Sequence, residues 1–228
     1  MADRSGQPGL SSDRSGRAKA PSVRSGRTRV LLATGNLHKL REIAAMLTDA
    51  PFELVGLSDF PEIVLPPETG ETFEENAILK ARAGAQQSGL VCIADDSGLE
   101  VDALAGRPGV RSARFSGPGA ADESNLQLVL NLMTDIPEGQ RRARFVCAIA
   151  VCPVDGPVEV VRGICEGELI RAPRGANGFG YDPIFRIPGD GRTLAEFSPA
   201  EKNAISHRAR AVAAALPLIR RAIGDDRR

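Results

Sequence analysis

The stretch Val91-Cys92-Ile93-Ala94-Asp95-Asp96-Ser97-Gly98 constrains this chain more than any other. Its apolar half reads as a buried strand that breaks off at two adjacent carboxylates, a hydroxyl and a glycine. In α/β proteins the carboxyl ends of strands open onto the ligand crevice. Two carboxylates placed there are costly to desolvate unless a cation, a set of donors or a proton relieves them. A divalent metal does so directly, and Mg²⁺ with phosphate oxygens is a common partner of a carboxylate pair. Asp-Asp-Ser-Gly is also good turn chemistry, so an ordinary turn beginning at Asp95 is the competing reading.

A similar junction stands upstream. Val30-Leu31-Leu32-Ala33 is an apolar run that breaks into the polar turn Thr34-Gly35-Asn36. Leu40, Ile43, Ala44, Met46 and Leu47 then recur on one face, which predicts a helix over about 37–49. Free N–H groups and the helix dipole at such a turn attract phosphate, and Lys39 can add a point charge. No Gly-x-x-x-x-Gly-Lys-Ser/Thr occurs, so this is not a Walker loop. Asn36 has a plainer reading as a helix cap.

The 228 residues suffice for one substantial domain, and no apolar run approaches the ~18 residues of a membrane span. The N-terminus has no apolar signal-peptide core, so a cytoplasmic protein is expected. Cys92, Cys147, Cys152 and Cys165 form no Cys-x-x-Cys pair and read as buried thiols rather than a zinc or disulfide framework. The zero net charge hides an asymmetry: residues 1–29 carry seven basic groups and two acids. That segment repeats Arg-Ser-Gly and is nearly free of apolar residues, so 1–28 is expected to be a disordered extension and 29–228 the folded domain. A nucleic-acid-binding tail is conceivable, but an incidental extension, or a start placed too far upstream, is preferred. Neither nucleic acid nor membrane is expected as a partner.

Within the domain, Phe52–Leu57 reads as a second strand, followed by a proline-rich acidic loop. Thr72 opens a helix with Glu75 as its capping-box partner, its inner face being Phe73, Ala77, Leu79 or Lys80, and Ala83. The resulting β-α-β-α-β order argues for an α/β sheet. A helix over 121–133 and an antiparallel pair, 144–151 with 158–168, come next. Ser206 then caps a last helix, which Pro217 should kink or restart.

Six stretches carry a resemblance to a known family. They are Thr-Gly-Asn-x-x-Lys-x-x-Glu at 34–42, Glu-Asn-Ala-x-x-Lys-Ala at 75–81 and Ala-Asp-Asp-Ser-Gly-Leu at 94–99. Pro-Gly-x-x-Ser-Ala-Arg-x-Ser-Gly at 108–117, Gly-Phe-Gly-Tyr-Asp-Pro-x-Phe at 178–185 and Glu-Lys-x-x-x-Ser-His-Arg at 201–208 complete the set. In this order they resemble the inosine triphosphate pyrophosphatase family over essentially residues 29–222. The resemblance implies a two-lobed α/β fold around a long mixed sheet, with the nucleotide in the cleft between lobes. It also implies a homodimer and a Mg²⁺-dependent hydrolysis of the α–β phosphoanhydride of deaminated purine nucleotides (ITP, dITP, XTP).

Site roles follow from the same resemblance. Thr34, Gly35, Asn36, Leu37, His38 and Lys39 match the triphosphate-binding turn, and Lys80 a second phosphate ligand. Asp96 matches the general base and a metal ligand, with Ser97 contacting substrate. Glu68 is the choice for the second Mg²⁺ carboxylate, Glu62 and Glu71 remaining open. Phe179, between two glycines, suits stacking on a purine face. Gly180 and Tyr181 match substrate-binding positions beside it, and Asp182 can accept from the N1–H of a 6-keto purine. Lys202, His207 and Arg208 match the remaining base-reading set. A pyrophosphatase with another base preference, and a nucleotide-binding protein without catalysis, are the alternatives.

Overall fold

The structure, a computed structural model, describes residues 26–225. Residues 1–25, and with them most of the expected extension, lie outside the described residues. Six strands form one sheet: Thr28–Leu32 (β1), Phe52–Gly56 (β2), Val91–Val101 (β3), Arg142–Cys152 (β4), Glu159–Leu169 (β5) and Phe185–Arg186 (β6). Their order is β2-β1-β3-β4-β5-β6. β1 pairs in parallel with β2 and β3, and the remaining pairs are antiparallel, so the sheet is mixed. The helices are Leu37–Met46 (α1), Phe73–Ser88 (α2), Asp122–Leu132 (α3), Pro199–Ile205 (α4) and His207–Ala222 (α5).

β3, β4 and β5 are eleven residues each, long enough to serve two lobes. On one face of the first lobe, Ile93 and Ile149 pack with Ile43 of α1 and Ala211, Val212 and Ala215 of α5. On the other face, Ala94 and Ala148 meet Phe73, Ala77, Ala81 and Ala85 of α2. Farther along the same strands, Leu99, Val101 and Phe145 join Leu126 and Val129 of α3 in a third cluster, the core of the second lobe. Asp95, Asp96 and Ser97 fall between these cores. That is what puts them at the lobe junction.

The predicted break after Ala94 is not found. β3 runs on to Val101 because Cys92–Val101 pair residue by residue with β4, which satisfies the backbone that a turn would have freed. Successive strand side chains point to opposite faces. Asp95 therefore shares the face of Ile93, toward α1 and α5, while Asp96 shares that of Ala94, toward α2. The expected single pair of carboxylates is two separate sites.

Elsewhere the pattern holds with local shifts. Thr72 Oγ1 accepts from the Glu75 N–H at 3.1 Å and Glu75 returns the bond to the Thr72 N–H at 3.3 Å, closing the capping box. The buried face of α2 includes Asn76 and Lys80 rather than Leu79 or Ala83. α1 stops at Met46, short of 49. α5 passes Pro217 without restarting, that ring lying on the exposed side. All four cysteines are free and buried.

Gly163 of β5 sets how close α5 comes to the sheet. A Cβ there would collide with the backbone of His207 and Ala211 in the first turn of α5. Gly163→Ala is expected to push that turn outward at a cost of about 1–3 kcal/mol. Thermal unfolding should show a Tm lowered by several degrees, and an unchanged Tm would mean the helix yields freely.

Candidate active site

A cleft of about 440 Å³ opens where the lobes meet. Every residue anticipated for the site lines it except Leu37 and His38. Asp96, Ser97 and Gly98 of β3 form its floor. Its walls are lined by Thr34, Gly35, Asn36 and Lys39, by Glu68 and Lys80, and by Phe179 to Asp182 with Lys202, His207 and Arg208.

The turn after β1 owes its shape to Asn36, whose Oδ1 accepts from the N–H groups of His38 at 2.9 Å and Lys39 at 3.1 Å. Both readings of Asn36 are thus compatible, since it caps α1 while its turn faces the cleft. Leu37 projects outward at 63 % exposure, so only its backbone belongs to the turn. Lys39 Nζ lies 3.0 Å from Asp95 Oδ2.

Asp96 is 5 % exposed and held from two directions. Its Oδ1 accepts from the Ser97 N–H and its Oδ2 from Asn76 Nδ2, each at 3.0 Å. Burial raises its pKa above the ordinary aspartate value despite the lowering pull of Lys80 and Lys39. Lys80 Nζ stands 3.8 Å from Asp96 Oδ1 and 2.7 Å from Glu68 Oε1. Two carboxylates from different elements thus meet at one ammonium. Glu68 is fixed further by Arg114, whose Nη1 donates to Oε2 at 3.0 Å. Glu62 and Glu71 do not line the cleft, so Glu68 alone of the three faces Asp96.

A hard-oxygen pair of this kind suits Mg²⁺, which commonly takes one or two carboxylates plus substrate phosphates rather than a full protein cage. Among the described residues no group of three or more His, Cys, Asp or Glu forms such a cage.

Asp95 is fully buried and does not line the cleft. Burial would raise its carboxyl, but Lys39, Arg208 and Lys80 outweigh that and hold it down at about 2. Arg208, 1 % exposed, donates from Nη1 to Glu42 Oε2 and from Nη2 to Ser97 Oγ at 2.9 Å. Lys202 Nζ donates to Glu42 Oε1 at 2.8 Å and to Asp182 Oδ2 at 2.5 Å. Glu42 thus links two cations that line the cleft, and they keep it ionised against its burial.

The Phe179 loop is more constrained than its flanking glycines suggest. Asp182 Oδ2 also accepts from the Phe179 N–H at 2.9 Å, and Asp122 Oδ2 accepts from Gly180 N–H at 2.9 Å. One oxygen of Asp182 is therefore engaged in shaping the loop. The Tyr181 hydroxyl donates to the Ser112 carbonyl at 2.8 Å, anchoring the loop in the second lobe. Phe179 itself is half-buried rather than bare, its ring stacked on His38 with centroids 5.1 Å apart. His207 stacks on Phe145 at 4.7 Å, and burial, with Arg208 and Lys202 nearby, pushes its pKa well below the usual range. It is neutral at pH 7.

Glu42, Asn76, Arg114, Asp122 and Phe145 were not anticipated as site residues. Glu42 and Asn76 had a signal: Glu42 is one turn beyond Lys39, and Asn76 is four residues before Lys80 on the same helix face. Asp122 and Phe145 reach the cleft only through tertiary packing and left no local trace.

Opposed lobes, an anion-attracting turn with a buried carboxylate, and an aromatic ring lining the same cleft define an α/β protein shaped for a phosphorylated compound bearing a flat base. A model of the Ham1 family matches residues 30–218, and the chain belongs to that family. It is 49% identical to a dITP/XTP pyrophosphatase from Mycobacteroides abscessus, over 84% of this chain and 95% of that protein. The dITP/XTP pyrophosphatase of Streptomyces avermitilis is also 49% identical, over 86% of this chain and 100% of that one. A solved HAM1 protein from Coxiella burnetii matches with a TM-score of 0.77 at 42% identity, covering 85% of this chain and 99% of its own.

Removing the Asp95 charge should destabilise the fold. Asp95→Asn strips a buried carboxylate from Lys39 and Arg208 and is expected to cost about 3 kcal/mol or more. Asp95 is more acidic folded, at about 2, than unfolded, near 3.9, so its contribution is complete above pH 4 and fades as the pH falls toward 2. Urea unfolding in metal-free buffer should show a constant gap between parent and variant from pH 5 to 8. A gap that closes at neutral pH would contradict the ion cluster.

Proposed function

We propose that this chain hydrolyses deaminated purine nucleoside triphosphates (ITP, dITP and XTP) to the monophosphate and pyrophosphate, clearing them from the nucleotide pool. The observation that carries this reading is the layout of one cleft. Asp96 and Lys80 line it together with Glu68 and the turn at Thr34–Lys39, and Phe179, Lys202 and neutral His207 line the same space. The names of the relatives agree with it. We further propose a cytoplasmic homodimer using one Mg²⁺ per subunit. Among the described residues no helix is long and apolar enough to cross a membrane.

Glu68 and Asp96 would hold the Mg²⁺, which when bound neutralises phosphate charge and makes coordinated water more acidic. Charge balance supports its need. Lys39, Lys80, Arg114, Lys202 and Arg208 are already matched by Asp95, Asp96, Glu68, Glu42 and Asp182. A triphosphate adds several negative charges to that balanced set.

The chain's own groups supply the rest. N–H groups of the Thr34–Lys39 turn and the Lys39 ammonium engage phosphate oxygens. Asp96 accepts the proton of the water that attacks the α-phosphorus, its basicity raised by burial. Lys80 stabilises charge on the departing pyrophosphate. The base stacks on Phe179, and donors from His207 and Lys202 meet the 6-keto oxygen. Adenine presents an amino group there and leaves those donors unpaired, a mismatch that can discriminate by ~10⁴-fold or more.

Steady-state assays with ITP, XTP, GTP and ATP, following pyrophosphate and orthophosphate separately, test this directly. ITP and XTP should lead in kcat/KM, with pyrophosphate as product. Asp96→Asn should lower kcat by about 10²–10⁴ while ITP binding stays within a few-fold. Orthophosphate release, or equal turnover of GTP and ITP, would defeat the reading.

A further inference from the structure

We propose that His38 is a positioning residue for the purine: its imidazole backs the Phe179 ring from outside the cleft and ties the base-stacking loop to the phosphate-binding turn. This role presupposes the pyrophosphatase reading above. The two rings are nearly parallel, 21° apart in plane with centroids 5.1 Å apart. Phe179 lines the cleft, whereas His38 is exposed and does not. Lys202 Nζ and the Arg208 guanidinium, both lining the cleft, stand 4.9 and 5.7 Å from the Phe179 centroid. The His38 ring thus packs on Phe179 and is not part of the cleft lining. It covers one face of the Phe179 ring, and we place the base against the other.

Phe179 needs such a support. Gly178 and Gly180 flank it with left-handed φ values of 74° and 61°, and neither offers a side chain to brace the ring. The hydrogen bonds to Asp182 and Asp122 fix the loop's backbone, not the ring's torsions. A ring free to turn loses that freedom when a purine stacks on it, which weakens binding. His38 removes the loss in advance. Its own backbone is held by Asn36 Oδ1 at the N-cap of α1, so the turn meant for the triphosphate also sets the ring that sets Phe179. The phosphate-binding turn and the Phe179 loop, which belong to different lobes, are joined by one stacked pair.

The test is a double-mutant cycle on ITP turnover with His38→Ala, Phe179→Ala, both together, and His38→Phe. Inorganic tripolyphosphate serves as an inhibitor that occupies the phosphate end alone. His38→Ala should raise the ITP KM roughly two- to tenfold, the worth of an aromatic pair, with kcat little changed. In the Phe179→Ala background the same substitution should add nothing, and His38→Phe should restore the parental KM. The tripolyphosphate inhibition constant should be the same throughout. An equal effect of His38→Ala in both backgrounds, a parallel loss of tripolyphosphate binding, or an unchanged KM would overturn the proposal. Parental release of pyrophosphate from ITP is measured first, and its absence would reject the pyrophosphatase reading itself rather than the stack.

Discussion

A carboxylate with no exposed surface stands at the middle of this fold, and most of the site depends on how its charge is met. Asp95 lies 3.0 Å from Lys39 and within 3.8 Å of Arg208. An isolated charge so placed would be neutralised or would unfold the chain. Two cations from separate elements answer it, one from the first turn of α1 and one from that of α5. Both helices are thereby drawn to the same point of β3, and Lys39 and Arg208 are delivered to the cleft edge with little freedom. Arg208 then continues to Glu42 and Ser97, and Glu42 to Lys202. Lys202 and Arg208, which line the cleft, are therefore set by a chain of ion pairs that begins under the sheet.

Strand geometry turns this one cluster into two functions. Because neighbours on β3 face opposite ways, a single register places Asp95 among α1 and α5 and Asp96 beside α2. Ten consecutive pairings with β4 hold that register, so a one-residue slip would exchange the two aspartates. The glycines serve the same end. Gly163 lets α5 lie on β5, and Gly98 leaves room for Ser112 and the Gly109 carbonyl of the second lobe. Small residues at the junction bring two lobes close without closing the space between them.

Much of this was legible in the sequence. The capping box at Thr72, the cap at Ser206 and the antiparallel pair at 142–152 and 159–169 depend on local chemistry, which neighbouring residues display. Motif order brought Thr34, Lys80, Asp96, Phe179 and His207 into one cleft on paper, and they line one cleft in space. The errors arose where partners lie far along the chain. A run of Asp-Asp-Ser-Gly looks like a strand's end because charges inside a buried strand are costly, and Lys39 and Arg208 at Asp95, with Lys80 and Asn76 at Asp96, make them tolerable. Phe179 looked bare between glycines because its cover, His38, is over a hundred residues away. Asp122 and Phe145 carry no local mark at all.

The two adjacent aspartates also decide which can act on a proton. Their chemistry is identical and their backbone continuous, so the difference is environmental. Asp95 is engaged by Lys39 and Arg208, which keep it ionised down to about pH 2, and it has no surface in the cleft. A carboxylate so strongly stabilised as an anion is a poor base. Asp96 lies on the cleft floor, its burial outweighing Lys80, and its basicity shifts the other way. Environments that drive two neighbouring carboxylates apart in this manner assign separate roles to each. Asp95 organises charge among α1 and α5, and Asp96 lines the cleft beside α2. Neither role could be exchanged without moving α2 and α5 as well, since each aspartate is defined by the helix it faces.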